Sequence, residues 1–480
     1  MKRSFSKFKL LSMMALVVAF IGPIRYYAWA QPASSSPQER DDELRQLREL
    51  VLKLQSRVEQ LEAQQQRNSP NDPPAPASPP ASTSQDNAPA DPHSSSADVA
   101  TEDQIAGFLR ATTIDLGLDV YYGYNFNYPI GRANRLRAYD VSSDAFSLNQ
   151  ASVIFKADPD VAAGRRFGVR LDLQFGQATS TLQGNPGNEP RPDVYRDIYQ
   201  AYGTYVVPVG AGLTVDVGKW ASSLGIEGNY SKDQINYSRS YWFNFLPFYH
   251  MGARTNYKFN DKIAFNYWAV NGTQQVEPFN GFKDQLLGFV LTPRKSINWT
   301  LNYYLGQEHP DVVFFTNGGA PPNAPTQQNV PFLPITNAPS GKLHIFDTYM
   351  TWQSTPKLTL AWEGDYVIER LQQNSPPAHT AGGAVYGRYQ VTPKVGLGGR
   401  TEYLSDRGGL FSGKTQALKE VTLTYAYKLT QGLLARLEWR RDFSNQPFFF
   451  TDQLGVLSNH QSTATLGLVW WWSNKEDESW

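Results

Sequence analysis

The 480-residue chain has no cysteine, which removes disulfides and thiolate metal sites together. It has no excess of either charge: 44 Lys and Arg stand against 44 Asp and Glu, which gives no reason to expect a nucleic-acid partner. After the N-terminal region no stretch holds about 18 consecutive apolar residues, so a membrane-resident form must cross with strands. The six histidines (His93, His250, His309, His344, His379 and His460) show no paired zinc spacing. No nucleophile elbow is present. Neither catalytic residues nor a cofactor is expected.

What the chain does have is aromatic: 26 Tyr, 26 Phe and 12 Trp. A membrane barrel uses such residues as girdles at its two interfaces. The N-terminus reads as an export signal over residues 1–30. Lys2, Arg3, Lys7 and Lys9 precede the apolar run Leu10 to Gly22, and Ala28-Trp29-Ala30 gives a small-x-small cleavage pattern. An uncleaved anchor is the alternative.

Three regions are expected after it. In residues 31–67, Leu44, Leu47, Val51, Leu54, Val58 and Leu61 form an a/d seam spaced 3, 4, 3, 4, 3. Three heptads are marginal alone, so the seam makes sense where something else already gathers the copies, as a trimeric barrel would. Val at a with Leu at d leans toward two strands by itself, and a lone amphipathic helix is the other reading. Residues 68–100 hold eight prolines with Ser, Ala and Asp, a linker unable to bury a core. Residues 101–480 form the barrel, with strands from about Thr112 to Trp472.

There, apolar and polar residues alternate. Phe167, Val169, Leu171, Leu173 and Phe175 interleave with Gly168, Arg170, Asp172 and Gln174. Leu433, Ala435, Leu437 and Trp439 interleave with Arg436, Glu438 and Arg440. Short turns recur at Asp158-Pro159, Pro208-Val209-Gly210, Asn260-Asp261-Lys262, Thr292-Pro293-Arg294, Thr355-Pro356-Lys357, Thr392-Pro393-Lys394 and Thr430-Gln431-Gly432. Longer polar segments lie between them. Seven turns join fourteen strands, and one more at each end gives sixteen with both termini on the short-turn side. Fourteen or eighteen would also fit, since element boundaries are the weakest reading. The fold class is therefore an all-β transmembrane antiparallel barrel.

Two segments resemble a known family. Gly218-Lys219, Gly225-Ile226-Glu227, Asn236-Tyr237-Ser238-Arg239-Ser240, Pro247-Phe248 and His250-Met251-Gly252 form the first. Arg441-Asp442-Phe443-Ser444-Asn445-Gln446-Pro447-Phe448-Phe449 forms the second. Together they resemble the OmpL-like β-barrel porin family, or β-barrel porin type 2, and the resemblance implies a porin-like role. Thr465, Gly467, Trp470 and Trp472 look like an outer-membrane assembly signal, although Ser473 to Trp480 follow as an acidic tail.

A barrel of this size holds an aqueous lumen, so function is expected in the lumen wall and in any loop folded into it. Alternation turns Arg170, Asp172, Asp216, Arg254, Lys258, Glu363 and Asp365 inward. It does the same for Arg388, Arg400, Glu402, Arg436, Glu438 and Arg440. These charges either set a transverse field or pair across strands. The third long segment, Trp220 to Pro247, carries Glu227, Lys232, Asp233 and Arg239 among aromatics and is the candidate constriction. Glu227 and Arg239 are expected either at the narrowest part of the pore or as pins holding the loop to the wall.

Expected partners are outer-membrane lipid, two further copies of the chain and small hydrophilic solutes, with peptidoglycan or periplasmic proteins at the coil. The rival classes are a barrel enzyme and an envelope tether acting through the coil. Gly408, Gly413, Lys414 and Thr415 match the phosphate-loop letters, but Leu418 to Lys428 alternate as a strand where a helix is needed.

Overall fold

A computed structural model describes residues 111–184, 189–315, 318–327 and 329–475, together with Gly107. The expected export signal, coiled coil and linker lie outside the described residues. No described helix is long and apolar enough to cross a membrane.

Sixteen antiparallel strands close into a barrel. The first four are β1 (Thr113–Asn125), β2 (Ala145–Ala157), β3 (Phe167–Phe175) and β4 (Ile198–Val207). Next come β5 (Leu213–Ala221), β6 (Tyr249–Asn260), β7 (Ile263–Val270) and β8 (Asp284–Arg294). Then follow β9 (Ile297–Gly306), β10 (Leu343–Thr355), β11 (Leu358–Glu369) and β12 (Ala378–Thr392). The last are β13 (Val395–Arg407), β14 (Gln416–Thr430), β15 (Leu433–Ser444) and β16 (His460–Ser473). Every strand pairs with its neighbours in sequence. The ring closes between β1 and β16, with Leu118 opposite Trp470 and Gly123 opposite Thr465. No barrel edge is left unpaired, as a hydrocarbon surround requires.

Alternation sets the two faces. On β14 and β15, Val421, Leu423, Tyr425, Leu437 and Trp439 are exposed on the outer face, while Glu420, Thr422, Thr424, Arg436 and Glu438 are buried inside. This inside-out distribution suits a lipid surround. The short turns have their own chemistry. The Thr355 hydroxyl accepts the N–H groups of Lys357 and Leu358. Thr392 does the same for Lys394 and Val395. Both turns sit on a register shift that ends the ladder.

At the other end eight longer loops join the strands. Loop 1 (126–144) and loop 3 (222–248) bury residues inside the barrel. Loop 2 carries the helix α1 (Gln177–Leu182) and loop 3 the helix α2 (Tyr241–Phe245). The Ser240 hydroxyl caps α2 by accepting the Phe243 N–H. Loop 5 builds a small sheet from Val312–Phe314, Val330–Pro334 and Thr326–Gln327. The phosphate-loop letters at Gly408–Thr415 fall between β13 and β14, two strands, with no helix following.

Candidate functional site: the lumen and its inward-folded loop

Loop 3 leaves β5 and crosses the barrel interior, tied to the wall by carboxylates that accept its backbone N–H groups. Asp347 accepts Gly225 N–H at 3.0 Å, and Glu363 accepts Ile226 N–H at 2.9 Å. Glu438 accepts Tyr237 and Ser238 N–H at 2.6 and 2.9 Å. Glu402 accepts Tyr241 N–H with both oxygens. Arginines take the loop carbonyls. Arg436 donates to Ser231, Asn236 and Gln234. Arg400 donates to the Ser238 carbonyl, and Arg440 to that of Arg239. The loop's orphan backbone groups are thus satisfied by charged wall residues, the strong kind of hydrogen bond.

The opposite wall holds the loop through side chains. Asp119 on β1 accepts both the Tyr237 and Ser231 hydroxyls. Gln174 accepts from Asn229, which in turn accepts from Gln150. The Tyr230 hydroxyl reaches Asp172 at 2.7 Å. Where the loop presses closest the wall has glycine: a Cβ on Gly398 would stand 2.8 Å from the Ile235 carbonyl oxygen, and one on Gly467 would collide with the Tyr237 ring.

The residues singled out from sequence now have places. Glu227 joins three parts: one oxygen takes Arg400 at 2.7 Å and the other the Ser240 N–H at 2.6 Å. Arg239 is fully buried. Its guanidinium holds the carbonyls of Gly228, Tyr237 and Asn229 and lies over the Tyr139 ring of loop 1. These contacts are those of pins. Lys232 and Asp233 pair with each other at 2.9 Å. Arg400 also meets Glu420, and Arg440 meets Asp442. Arg170 is bidentate to Asp172, and Arg254 pairs with Asp216. Asp365 stands opposite Asp347 in the strand register and is buried. Arg388 donates to Gln390, and Lys258 pairs with the turn residue Asp261.

Sequence reasoning missed Asp119, Asp347 and Asp442 as anchors, and Glu420 as the wall partner of Arg400. The signal for Asp442 was there: it follows Arg440 by two, on the same face of β15.

The space outside loop 3 is partly filled as well. Trp242, Leu246 and Leu224 of the loop pack with Trp220, Trp268, Leu286, Tyr304, Ile345 and Leu404 of the wall into an apolar cluster. Loop 1 docks beside it. Arg137 reaches Asp442 at 2.7 Å and stands 3.6 Å from Asp140. Burial lifts the Asp140 carboxyl to about 6, with Arg137 and Arg440 opposing. A cavity lies against the wall of β3 to β5. It has a volume of about 240 Å³ and is lined by Arg170, Tyr199, Gln200, Glu227, Tyr230 and Phe243 among others. Among the described residues no cluster of three or more His, Cys, Asp or Glu is disposed to hold a metal ion.

Residues 111–470 match the family model described as "Putative beta-barrel porin-2, OmpL-like". The chain belongs to this family. It is a porin-like outer-membrane channel, with a folded third loop inside its barrel. Several solved structures share the barrel at low identity. The anion-selective porin from Comamonas acidovorans is 6% identical, covering 75% of this chain and 99% of its own, at a TM-score of 0.48. The outer membrane channel DcaP of Acinetobacter baumannii is 9% identical, covering 75% and 97%, at 0.47. OprB of Pseudomonas putida is 13% identical, covering 78% and 97%, at 0.46. No curated protein matches the chain in sequence.

Proposed function

We propose that this porin passes small hydrophilic solutes by passive diffusion through a narrow route beside loop 3. The observation that carries the proposal is the placement of that loop. It is bound to β10–β16 and to β1–β3, and open volume is left against β3–β5. The 240 Å³ there is room for several waters. Arg170, Gln200 and Glu227 give that volume polar walls, with Tyr199, Tyr230 and Phe243 as apolar faces. A solute has to be small and shed little hydration to use it.

The wall charges around loop 3 act as its anchors, and Glu227, Arg239, Arg400, Glu402, Arg436, Glu438 and Arg440 set the lumen's width by fixing the loop. The porin works as a trimer in this reading, with the N-terminal heptads gathered in the periplasm and available to peptidoglycan or periplasmic proteins. A barrel enzyme and an envelope tether are the rival readings, and no geometry described above favours either. Planar-bilayer recording on the full chain tests the proposal. Small discrete conductance steps are expected, rising when residues 227–240 are replaced by a short Gly-Ser segment. Absence of steps in both proteins overturns it.

A further inference from the structure

We infer that the channel prefers small anions, and that cations on the water-filled periplasmic part of its wall set the preference. The inference rests on the conducting barrel proposed above. The reason is an asymmetry of exposure between the two signs of charge. Loop 3 and the wall networks bury the lumen carboxylates: Asp119, Asp172, Glu363, Glu402, Glu420 and Glu438 are all at or below 4% exposure. Their charge is spent on N–H groups, hydroxyls and buried arginines. The cations that alternation turns inward nearer the short turns keep contact with water. Lys156, Arg170, Arg254, Arg388 and Lys428 are half-buried, and Lys258 is exposed.

Two arginine pairs keep the same polarity, whereas in Lys156–Asp158 and Lys258–Asp261 the turn carboxylate is the more exposed partner, at 67% against 37% and 96% against 59%. In Arg170–Asp172 the side chains are 23% and 0% exposed, and in Arg254–Asp216 they are 24% and 11%. In each pair the guanidinium faces the water and the carboxylate lies behind it. Asp115 is a half-buried inward carboxylate at this end of the barrel. The turns continue the pattern at the mouth. Lys262, Arg294, Lys295, Lys357 and Lys394 are exposed there, opposed by Asp158, Asp160 and Asp261.

A zero net charge on the whole chain therefore hides a local excess of cations at this end of the lumen. Field lines in a narrow lumen with low-dielectric walls are focused, so a fixed excess of cations raises the local concentration of anions. The Debye length at 0.1 M salt is about 10 Å, so the preference fades as salt rises. The cavity beside loop 3 does not reverse the sign. Its two charged side chains, Arg170 and Glu227, are each tied to an opposite partner, Asp172 and Arg400.

The test is the reversal potential of the full chain in a planar bilayer under a KCl gradient at low ionic strength. A chloride-to-potassium permeability ratio above unity is expected. Joint replacement Lys258→Gln and Lys428→Gln should carry it toward unity. The comparison pair Lys357→Gln and Lys394→Gln, on the turns, should move it less. A potassium preference overturns the inference, as does a ratio unmoved by the first pair. An equal or larger shift from the turn pair overturns the assignment to the lumen wall. Absence of any conductance instead removes the channel reading, and this inference with it.

Discussion

Tyr237 of loop 3 fills the space that a side chain on Gly467 of β16 would need. Both residues face the lumen, and the tyrosine hydroxyl is held 2.7 Å from Asp119 on the adjacent β1. The glycine is thus a seat for the ring. Replacing Gly467 by Ala inserts a methyl group into a packed contact, a change that costs about 1–3 kcal/mol. The barrel should still assemble, because the strand ladder is untouched, but the ring must leave its seat. Single-channel conductance should rise and grow noisier. A variant with the conductance of the parent would show that this contact does not position the loop.

Glu438 tests the loop's backbone anchorage. Its carboxylate accepts two loop N–H groups and the Thr424 hydroxyl at 2.7 Å. Glu438→Ala leaves these donors buried without a partner, at about 1–3 kcal/mol each. Glu438→Gln keeps one carbonyl acceptor and should fall between. The expected order of conductance is Ala above Gln above parent, with thermal stability of the folded barrel in the reverse order. Equal conductance in all three would place the loop's anchorage elsewhere.

The barrel itself was legible in the sequence because its code is local. Period-2 alternation and the seven recurring short turns gave sixteen strands, and sixteen close the ring. The inward phase of Arg170, Glu363, Arg400 and Glu438 was legible for the same reason. The destination of those charges was not. Tyr237 and Glu438 are 201 residues apart, and nothing in the spacing of either reports the other. Nor did alternation say that loop 3 would occupy the lumen with its own backbone, turning candidate pore charges into anchors. The family resemblance marked the right segments, Gly225 to Ser240 and Arg441 to Phe449, without giving the reason. They are the loop, and a strand end with a following loop that pack around it.

Arg239 separates charge from geometry. Its guanidinium spans three carbonyls of its own loop, a fork that a lysine ammonium cannot reproduce. Arg239→Ala should raise conductance by freeing the two limbs of the loop. The reversal potential should change little, because the buried charge does not face the water. Arg239→Lys restores the charge without the fork and should resemble the alanine variant. Recovery of parental conductance by lysine would show that charge, and not the spanning geometry, holds the loop.

Asp140 gives the docking of loop 1 a pH dependence whose sign follows from its burial. The carboxyl is lifted from 3.8 to about 6, chiefly because burial disfavours the charged form. Arg137 at 3.6 Å and Arg440 oppose that rise, while Glu438 and Asp442 add to it. Neither Asp140 oxygen finds a hydrogen-bond partner among the described residues. The docked state therefore holds a proton that the undocked state gives up, so docking is favoured in acid and weakens as pH climbs from about 4 to about 6. Hydrogen exchange of loop 1 amides, corrected for the intrinsic pH effect, should show greater protection at about pH 4.5 than at about pH 7.5. Asp140→Asn cannot ionise and should flatten the difference. Protection that increases with pH in the parent protein, or an equal slope in the Asn variant, would refute the assignment to Asp140.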